Sequence, residues 1–135
     1  MRAYIRDNQH KMTGVRAVLN ADVLGEGTKL VMYSEGRWPN RTVRASDGLN
    51  RVLSKAASDL GYHLEPAVSA MGLADTEAFI EANIPGAWIG RRGWHYNHTA
   101  EDLPETIDVN ALKVAADILT VASIRLDQSV SLDSL

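Results

Sequence analysis

Two short stretches of the sequence contain residue types that can bind a metal ion. Asn20-Ala21-Asp22 ends an apolar segment, where a carboxylate is costly unless its charge is paired or bound to a metal. Residues 94–102 hold two histidines, two acidic residues and two aromatic residues. Imidazole and carboxylate are the ligands that zinc takes when thiolate is absent. The alternative interpretation is an aspartate that caps a turn and histidines that are merely exposed.

Other chemistries find less support in the sequence. Ser34, His63 and Asp75 provide the residue types of a hydrolytic triad, but the Gly-x-Ser-x-Gly turn that presents such a serine is absent. Gly25-Glu26-Gly27 lacks the third glycine and the lysine of a phosphate-binding loop. The chain has no cysteine, which excludes a cysteine nucleophile, a thiolate zinc site and disulfides.

The composition is that of one globular domain. The chain has 135 residues, of which 45% are apolar and 23% charged. The net charge is −3, and the densest basic cluster is the pair Arg91-Arg92, so no basic face predicts nucleic-acid binding. No apolar run approaches the roughly 20 residues of a membrane span, so no membrane partner is expected.

Apolar and β-branched runs predict the strands. They cover Val15–Leu24, Thr28–Ser34, 62–68 and Ala87–Gly90. A short hairpin is the simplest connection between the first two. The segment Glu35–Arg44 contains Gly, Pro and Asn, which predict a loop.

Helical periodicity and capping residues predict the helices. A mostly polar helix covers 2–12, Ser46 or Asp47 begins a second, and Asp75 begins a short third. Asp108 caps a long helix after a polar loop over 91–107. The predicted buried face of that helix includes Val109, Leu112, Ala116, Leu119 and Ile124, and 127–135 is predicted to be a flexible tail. Strands that alternate with amphipathic helices predict an α/β fold, a three-layer α/β/α sandwich with a mixed sheet.

Four motifs occur in a specific order along the chain. Val18-Leu19-Asn20-Ala21-Asp22-Val23-Leu24-Gly25 resembles the Asn-x-Asp-hydrophobic-x-Gly strand of the zinc aminopeptidases, family 28 of the metallopeptidases. Ala74–Phe79 is similar to the family's Ser-Asp-x-x-x-Phe segment, and 84–87 to its Gly-Ile-Pro-Ala segment. His98-Thr99-Ala100-Glu101-Asp102, with Ile107-Asp108, resembles its His-Thr-x-x-Asp ending. The resemblance covers residues 2–126.

The resemblance implies a zinc-exopeptidase fold and a set of site residues. It places metal ligands at Asp22 and His98 and substrate contacts at Tyr96 and Asn97. Asp75 and Asp102 are expected beside the ligands rather than on the metal, where a carboxylate accepts the second N–H of a ligating histidine. Relatives in this family include aminopeptidases, glutamate carboxypeptidase-like enzymes and glutaminyl cyclases, and they bind two zinc ions.

The sequence also departs from the family pattern. The His-x-Asp segment and the Glu-Glu pair that supply the other ligands and the general base lie upstream in the family, and this sequence has neither. The expectation is therefore the C-terminal half of a peptidase domain over 1–126, inactive alone, with at most one weak partial zinc site. Its expected partners are a peptide substrate in the complete domain, and the missing N-terminal half or a second copy. Thr76 also stands where relatives have His, and Asn97 where many have Tyr.

Overall fold

A computed structural model describes residues 1–25 and 27–128 of the chain. The helices are α1 (Arg2–Asp7), α2 (Gln9–Met12), α3 (Asp47–Asp59), α4 (Thr76–Glu81) and α5 (Val109–Gln128). The strands are β1 (Val18–Ala21), β2 (Lys29–Trp38), β3 (Arg41–Arg44), β4 (Glu65–Ser69) and β5 (Gly86–Arg92). A single 3-10 turn, Pro104–Thr106, interrupts the loop before α5.

The five strands form one mixed sheet. β1 is parallel to β5, β5 is antiparallel to β2, and β2 is parallel to β4. Residues 31–33 of β2 pair with β5 and β4 at once, so these two strands flank β2. β3 is a short hairpin extension of β2. In the described part of the chain, β1 and β4 are therefore the two edges of the sheet.

Each face of the sheet carries its own hydrophobic cluster. Alternate residues of β2 and β5, such as Met32 and Ile89, pack against α3 and α5 in one cluster. Their neighbours Val31 and Trp88 point to the opposite face, where Leu73 joins them. α4 lies over that second face, because the chain at Gly86 touches Thr76 of α4. The three-layer α/β/α sandwich predicted from the sequence is confirmed.

Two predictions about the first strands were wrong. β1 and β2 do not form a hairpin, because β5 lies between them and pairs with both. The segment Glu35–Arg44 is not a loop, since β2 continues to Trp38 and turns at Pro39-Asn40 into β3. In the first case the central strand comes from a distant part of the sequence. In the second, a two-residue turn joins two paired strands.

The prediction for α5 had the correct position and the wrong face. Asp108 caps the helix as expected, since its Oδ1 accepts the Ala111 N–H at 3.1 Å. The side chains that are buried, however, are Ala115, Ile118 and Ala122. Val109 is 73% exposed, and Leu112, Ala116 and Ile124 are exposed as well, whereas Leu119 packs partly against the core.

The helix predictions near the two chain ends differ in detail. The helix predicted over 2–12 is interrupted at Asn8, whose side-chain amide donates to the Tyr4 carbonyl at 2.9 Å. The tail predicted over 127–135 was wrong for Asp127 and Gln128, which belong to α5, and the rest of it, 129–135, lies outside the described residues. None of the described helices is long and apolar enough to cross a membrane.

Candidate metal-binding pocket

Asp22 lies where the chain leaves β1, at the sharp turn into Val23. Its Oδ1 accepts the Val23 N–H at 2.8 Å, and its side chain is exposed to solvent. Val23 has a φ of 56°, a conformation that a β-branched residue rarely adopts. Backbone strain of this kind clusters at functional sites. The conformation of Val23 turns the backbone sharply just after the carboxylate of Asp22.

The strand beneath Asp22 holds its backbone in place. The Trp88 indole N–H donates to the Asp22 carbonyl at 3.2 Å, and the Asp22 N–H donates to the Ile89 carbonyl at 3.2 Å. Trp88 itself is stacked on Tyr33 with ring centroids 3.9 Å apart. Gly90 is required beside this arrangement, because a Cβ there would come within 2.7 Å of the Asp22 carbonyl oxygen.

His98 lies in the long loop that follows β5. It has a φ of 65°, in a turn where the Thr99 N–H and hydroxyl both donate to the Tyr96 carbonyl, at 2.8 and 2.6 Å. The Thr99 hydroxyl then accepts the Glu101 N–H at 3.3 Å. Because β1 and β5 are parallel neighbours, their carboxyl ends bring Asp22 and this loop to the same edge of the sheet.

Two adjoining cavities lie between these elements. One, of about 120 Å³, is lined by Asp22 and His98 together with Trp88, Trp94 and the segment after β4. The other, of about 260 Å³, is lined by Asp22, Trp94, Asn97 and Asp102. The two predicted metal ligands therefore face one pocket, and aromatic and apolar side chains form most of its remaining wall.

The donor set fits zinc in kind and falls short in number. A carboxylate and an imidazole are both zinc ligands, but zinc sites in proteins use three or four protein ligands. Within residues 1–25 and 27–128, no three His, Cys, Asp or Glu side chains are grouped so that they could hold a metal ion. The described residues therefore provide at most part of a zinc site.

The other predicted site residues are distributed unevenly. Asn97 lines both cavities and Asp102 lines only the larger one, whereas Tyr96 is not among the residues that line either cavity. Asp75 lines a separate cavity of about 140 Å³ beside Arg2 and does not lie with Asp22 and His98. It stands just before α4 without a side-chain capping bond, so the predicted cap is absent.

The triad considered from the sequence is not assembled. The Ser34 hydroxyl donates to the Ala67 carbonyl at 3.1 Å. His63 and Asp75 lie beyond opposite ends of β4, one before Glu65 and the other after Ser69. Ser34 lies within β2, whereas His63 and Asp75 lie beyond opposite ends of β4, so the three residues do not meet at one point.

A buried carboxylate that the sequence analysis missed supports the wall formed after β4. Glu77 is almost fully buried, and its Oε2 accepts the Leu73 N–H at 3.2 Å and the Trp38 indole N–H at 3.0 Å. Its Oε1 pairs with Arg2 at 3.2 Å and with Arg41. A glutamate between apolar positions of a short helix was the available signal, because such a residue is rarely buried without partners.

The neighbouring carboxylate Glu81 shares the same two arginines. Arg2 donates to it at 2.8 and 3.0 Å, and Arg41 also pairs with it. These hydrogen bonds, from Arg2 first and Arg41 second, lower the pKa of Glu81 from 4.5 to about 2. The cluster ties α1 and the β2–β3 hairpin to α4.

The fold agrees with the comparisons to known proteins. The model of Peptidase family M28 matches residues 2–123, which is most of the chain. The chain belongs to Peptidase family M28. Its fold is similar to that of the LapA aminopeptidase of Legionella pneumophila, with a TM-score of 0.75, 16% identity, and coverage of 93% of this chain and 35% of that one. No match was found among curated proteins.

Two further solved structures share the fold. BSAP, a zinc aminopeptidase from Bacillus subtilis, has a TM-score of 0.71 and 20% identity, with 93% of this chain and 32% of that one covered. A glutaminyl cyclase from an Acidobacteriales bacterium has a TM-score of 0.62 and 23% identity, with 93% and 43% covered. The M28 chain thus spans about a third of the length of the aminopeptidases that it matches.

Proposed function

We propose that this M28 chain supplies part of a metal-dependent exopeptidase of the aminopeptidase type. The observation that carries the proposal is the pocket shared by Asp22 and His98, at the carboxyl ends of β1 and β5. Membership of the peptidase family and the aminopeptidase-like fold support it. In this proposal Asp22 and His98 are ligands of one zinc ion, which would lower the pKa of a bound water to make a nucleophile.

The remaining residues of the pocket have substrate-related roles in the proposal. Asn97 and Trp94 form part of the wall beside the ligands. Asp102, which follows His98 in the same loop, is proposed to orient the imidazole. Tyr96 is proposed as a substrate contact from the sequence resemblance alone. Asp75 is proposed to act on the wall behind the pocket, because it shares its cavity with Met71 and Ala74, which also line the ligand pocket.

We propose further that this chain alone does not catalyse. It provides two of the ligands, and its sequence lacks the Glu-Glu pair and the His-x-Asp segment of the family pattern. The test is an assay of the purified chain with an aminoacyl anilide substrate, with and without added zinc. No turnover is expected. Hydrolysis that a chelator and His98→Ala both abolish would contradict the proposal that the chain is inactive alone.

A second candidate is a non-catalytic module that associates with itself or with a partner. The observation in its favour is the edge strand β1, whose residues 18–21 include no proline and no charge. The opposite edge strand β4 carries Pro66 and an ion pair between Glu65 and Lys29, which protect an edge from pairing. Light scattering of the purified chain distinguishes the two. A dimer that the substitution Leu19→Pro disrupts would favour this candidate, and a stable monomer would exclude self-association.

A further inference from the structure

Arg91 is a buried cation at the end of β5 that the proposed function does not use. The residue is only 8% exposed, and its backbone N–H donates to the Val23 carbonyl at 3.0 Å while its carbonyl accepts the Tyr33 hydroxyl at 3.0 Å. A guanidinium loses much hydration when it is buried, so its few contacts must be specific. Its Nε is buried without a hydrogen-bond partner among the described residues.

The contacts of Arg91 converge on two residues. Its Nη1 donates to the Gly25 carbonyl at 3.2 Å and lies 3.0 Å from Oδ2 of Asp108. The Asp108 N–H donates to the same Gly25 carbonyl at 2.8 Å. Arg91, Gly25 and Asp108 therefore form one closed cluster, which we call the Arg91 clamp.

The clamp joins the two sides of the ligand pocket. Gly25 ends the turn that begins at Asp22, and Asp108 ends the loop that contains His98. Arg91 lies just before that loop begins, so the clamp fixes both ends of the loop against the turn. The 260 Å³ cavity lies between these same two elements.

We infer that Arg91 is a positioning residue, which holds the Asp22 turn and the His98 loop at the separation that lets both side chains face one pocket. The role of the Arg91 clamp in metal binding rests on the proposed function, whereas the contacts that form the clamp do not depend on it. The competing interpretation is that Arg91 stabilises the fold as a whole. The two interpretations differ in where the protein loosens when the guanidinium is removed.

Hydrogen exchange measured by mass spectrometry on the full chain distinguishes them. In Arg91→Met we expect exchange over 22–25 and 93–108 to rise about tenfold or more, because a hydrogen bond to a charged group is lost, while α3 is unchanged. Arg91→Lys keeps the charge without the planar fork and should give a smaller rise. It also carries the test if the methionine variant does not fold. An equal rise in α3, or no rise in the two segments, would overturn the inference.

A matched control removes an ion pair at the opposite end of α5. Asp59 of α3 pairs with Arg125 in the last turn of α5, whereas Asp108 precedes the first turn of that helix. Asp59→Asn should leave exchange over 22–25 and 93–108 unchanged. If it loosens these segments as much as Arg91→Met does, the effect is not local and the inference fails.

A zinc titration of the same variants separates this inference from the proposed function. Zinc affinity should fall roughly tenfold in Arg91→Met and stay unchanged in Asp59→Asn, which is the usual effect of losing a residue that supports a metal ligand. If the wild-type chain binds no zinc while the exchange results are as expected, the proposal that Asp22 and His98 hold zinc in this chain fails and the clamp stands. Unchanged zinc affinity in Arg91→Met would remove the clamp's role in metal binding.

Discussion

Replacing Glu77 provides a sharp test of how the wall beside the pocket is held. The two oxygens of this carboxylate share one partner, the Trp38 indole N–H, at 3.2 Å from Oε1 and 3.0 Å from Oε2. Oε2 also accepts the buried Leu73 N–H at 3.2 Å, and Oε1 also faces Arg2 and Arg41. The side chain is 5% exposed, whereas those of the two arginines are 64% and 43% exposed. The buried donors should therefore account for most of the carboxylate's contribution to stability.

The expected magnitudes follow from this division. Glu77→Ala removes the charged acceptor of two buried N–H donors, so the free energy of unfolding should fall by roughly 3–5 kcal/mol. Glu77→Gln can keep its amide oxygen towards Leu73 and Trp38 and lose only the exposed arginines, so it should cost about 1–2 kcal/mol. Glu81→Gln, which faces the same arginines but no buried backbone donor, should cost about 1 kcal/mol or less.

Urea denaturation followed by circular dichroism at neutral pH measures all three variants. The expected order of destabilisation is Glu77→Ala, then Glu77→Gln, then Glu81→Gln. Two results would refute the reasoning. If Glu77→Gln costs as much as Glu77→Ala, the buried donors are not the source of the stabilisation. If Glu81→Gln costs as much as Glu77→Ala, the source of the stabilisation is the pairing with the exposed arginines.

Three further predictions concern pH, packing and the face of α5. Because the pKa of Glu81 is lowered from 4.5 to about 2 in the folded protein, its contribution is complete above pH 4.5 and is lost as the pH falls towards 2. Urea denaturation at pH ~6 and ~3 should show a loss of unfolding free energy roughly 0.5–1 kcal/mol larger in the wild type than in Glu81→Gln, because solvent screens this exposed cluster; equal losses would contradict the assignment. Gly90→Ala should lower the unfolding free energy by about 1–3 kcal/mol, because its Cβ meets the Asp22 carbonyl, and a melting temperature equal to that of the wild type would count against this. Ile118→Ala should lower the free energy of unfolding by roughly 2–5 kcal/mol and Ile124→Ala by about 0.5 kcal/mol or less, because only Ile118 is buried. A larger loss for Ile124→Ala would show that the face of α5 predicted from the sequence is the buried one.

The elements that the sequence predicted well are those with a strong local pattern. α3 begins at the expected cap, where the Leu49 N–H donates to the Ser46 hydroxyl at 3.4 Å, and its apolar residues, such as Val52 and Leu53, are buried. The position of β5 was also predicted, though the strand extends beyond Ala87–Gly90 at both ends. These features depend on residues that are close in sequence.

The errors arose where distant residues decide the structure. The hairpin predicted between β1 and β2 ignored β5, which follows α4 in the sequence and inserts between them. The apolar residues of α5 are distributed around much of the helix, so periodicity alone did not determine which face meets α3. Arg91 and Glu77 were missed for the same reason, because their partners come from separate segments of the chain.

The candidate site was predicted in part. Asp22 and His98 were singled out from residue type and resemblance, and they do line one cavity. The residues that shape this cavity, such as Trp88 beneath Asp22, carry no local signal for that role. Asp75 was grouped with the ligands by its place in a motif, but it lines a neighbouring cavity.

A zinc titration of the purified chain followed by NMR tests most directly whether Asp22 and His98 bind one metal ion. The first resonances to shift are expected to belong to His98 and to the amides around Asp22, and His98→Ala and Asp22→Asn are each expected to abolish these shifts. His63→Ala, which removes an exposed histidine away from the pocket, should change nothing. Zinc binding that persists in His98→Ala and Asp22→Asn, or that is lost in His63→Ala, would contradict the claim that Asp22 and His98 form one metal-binding pocket.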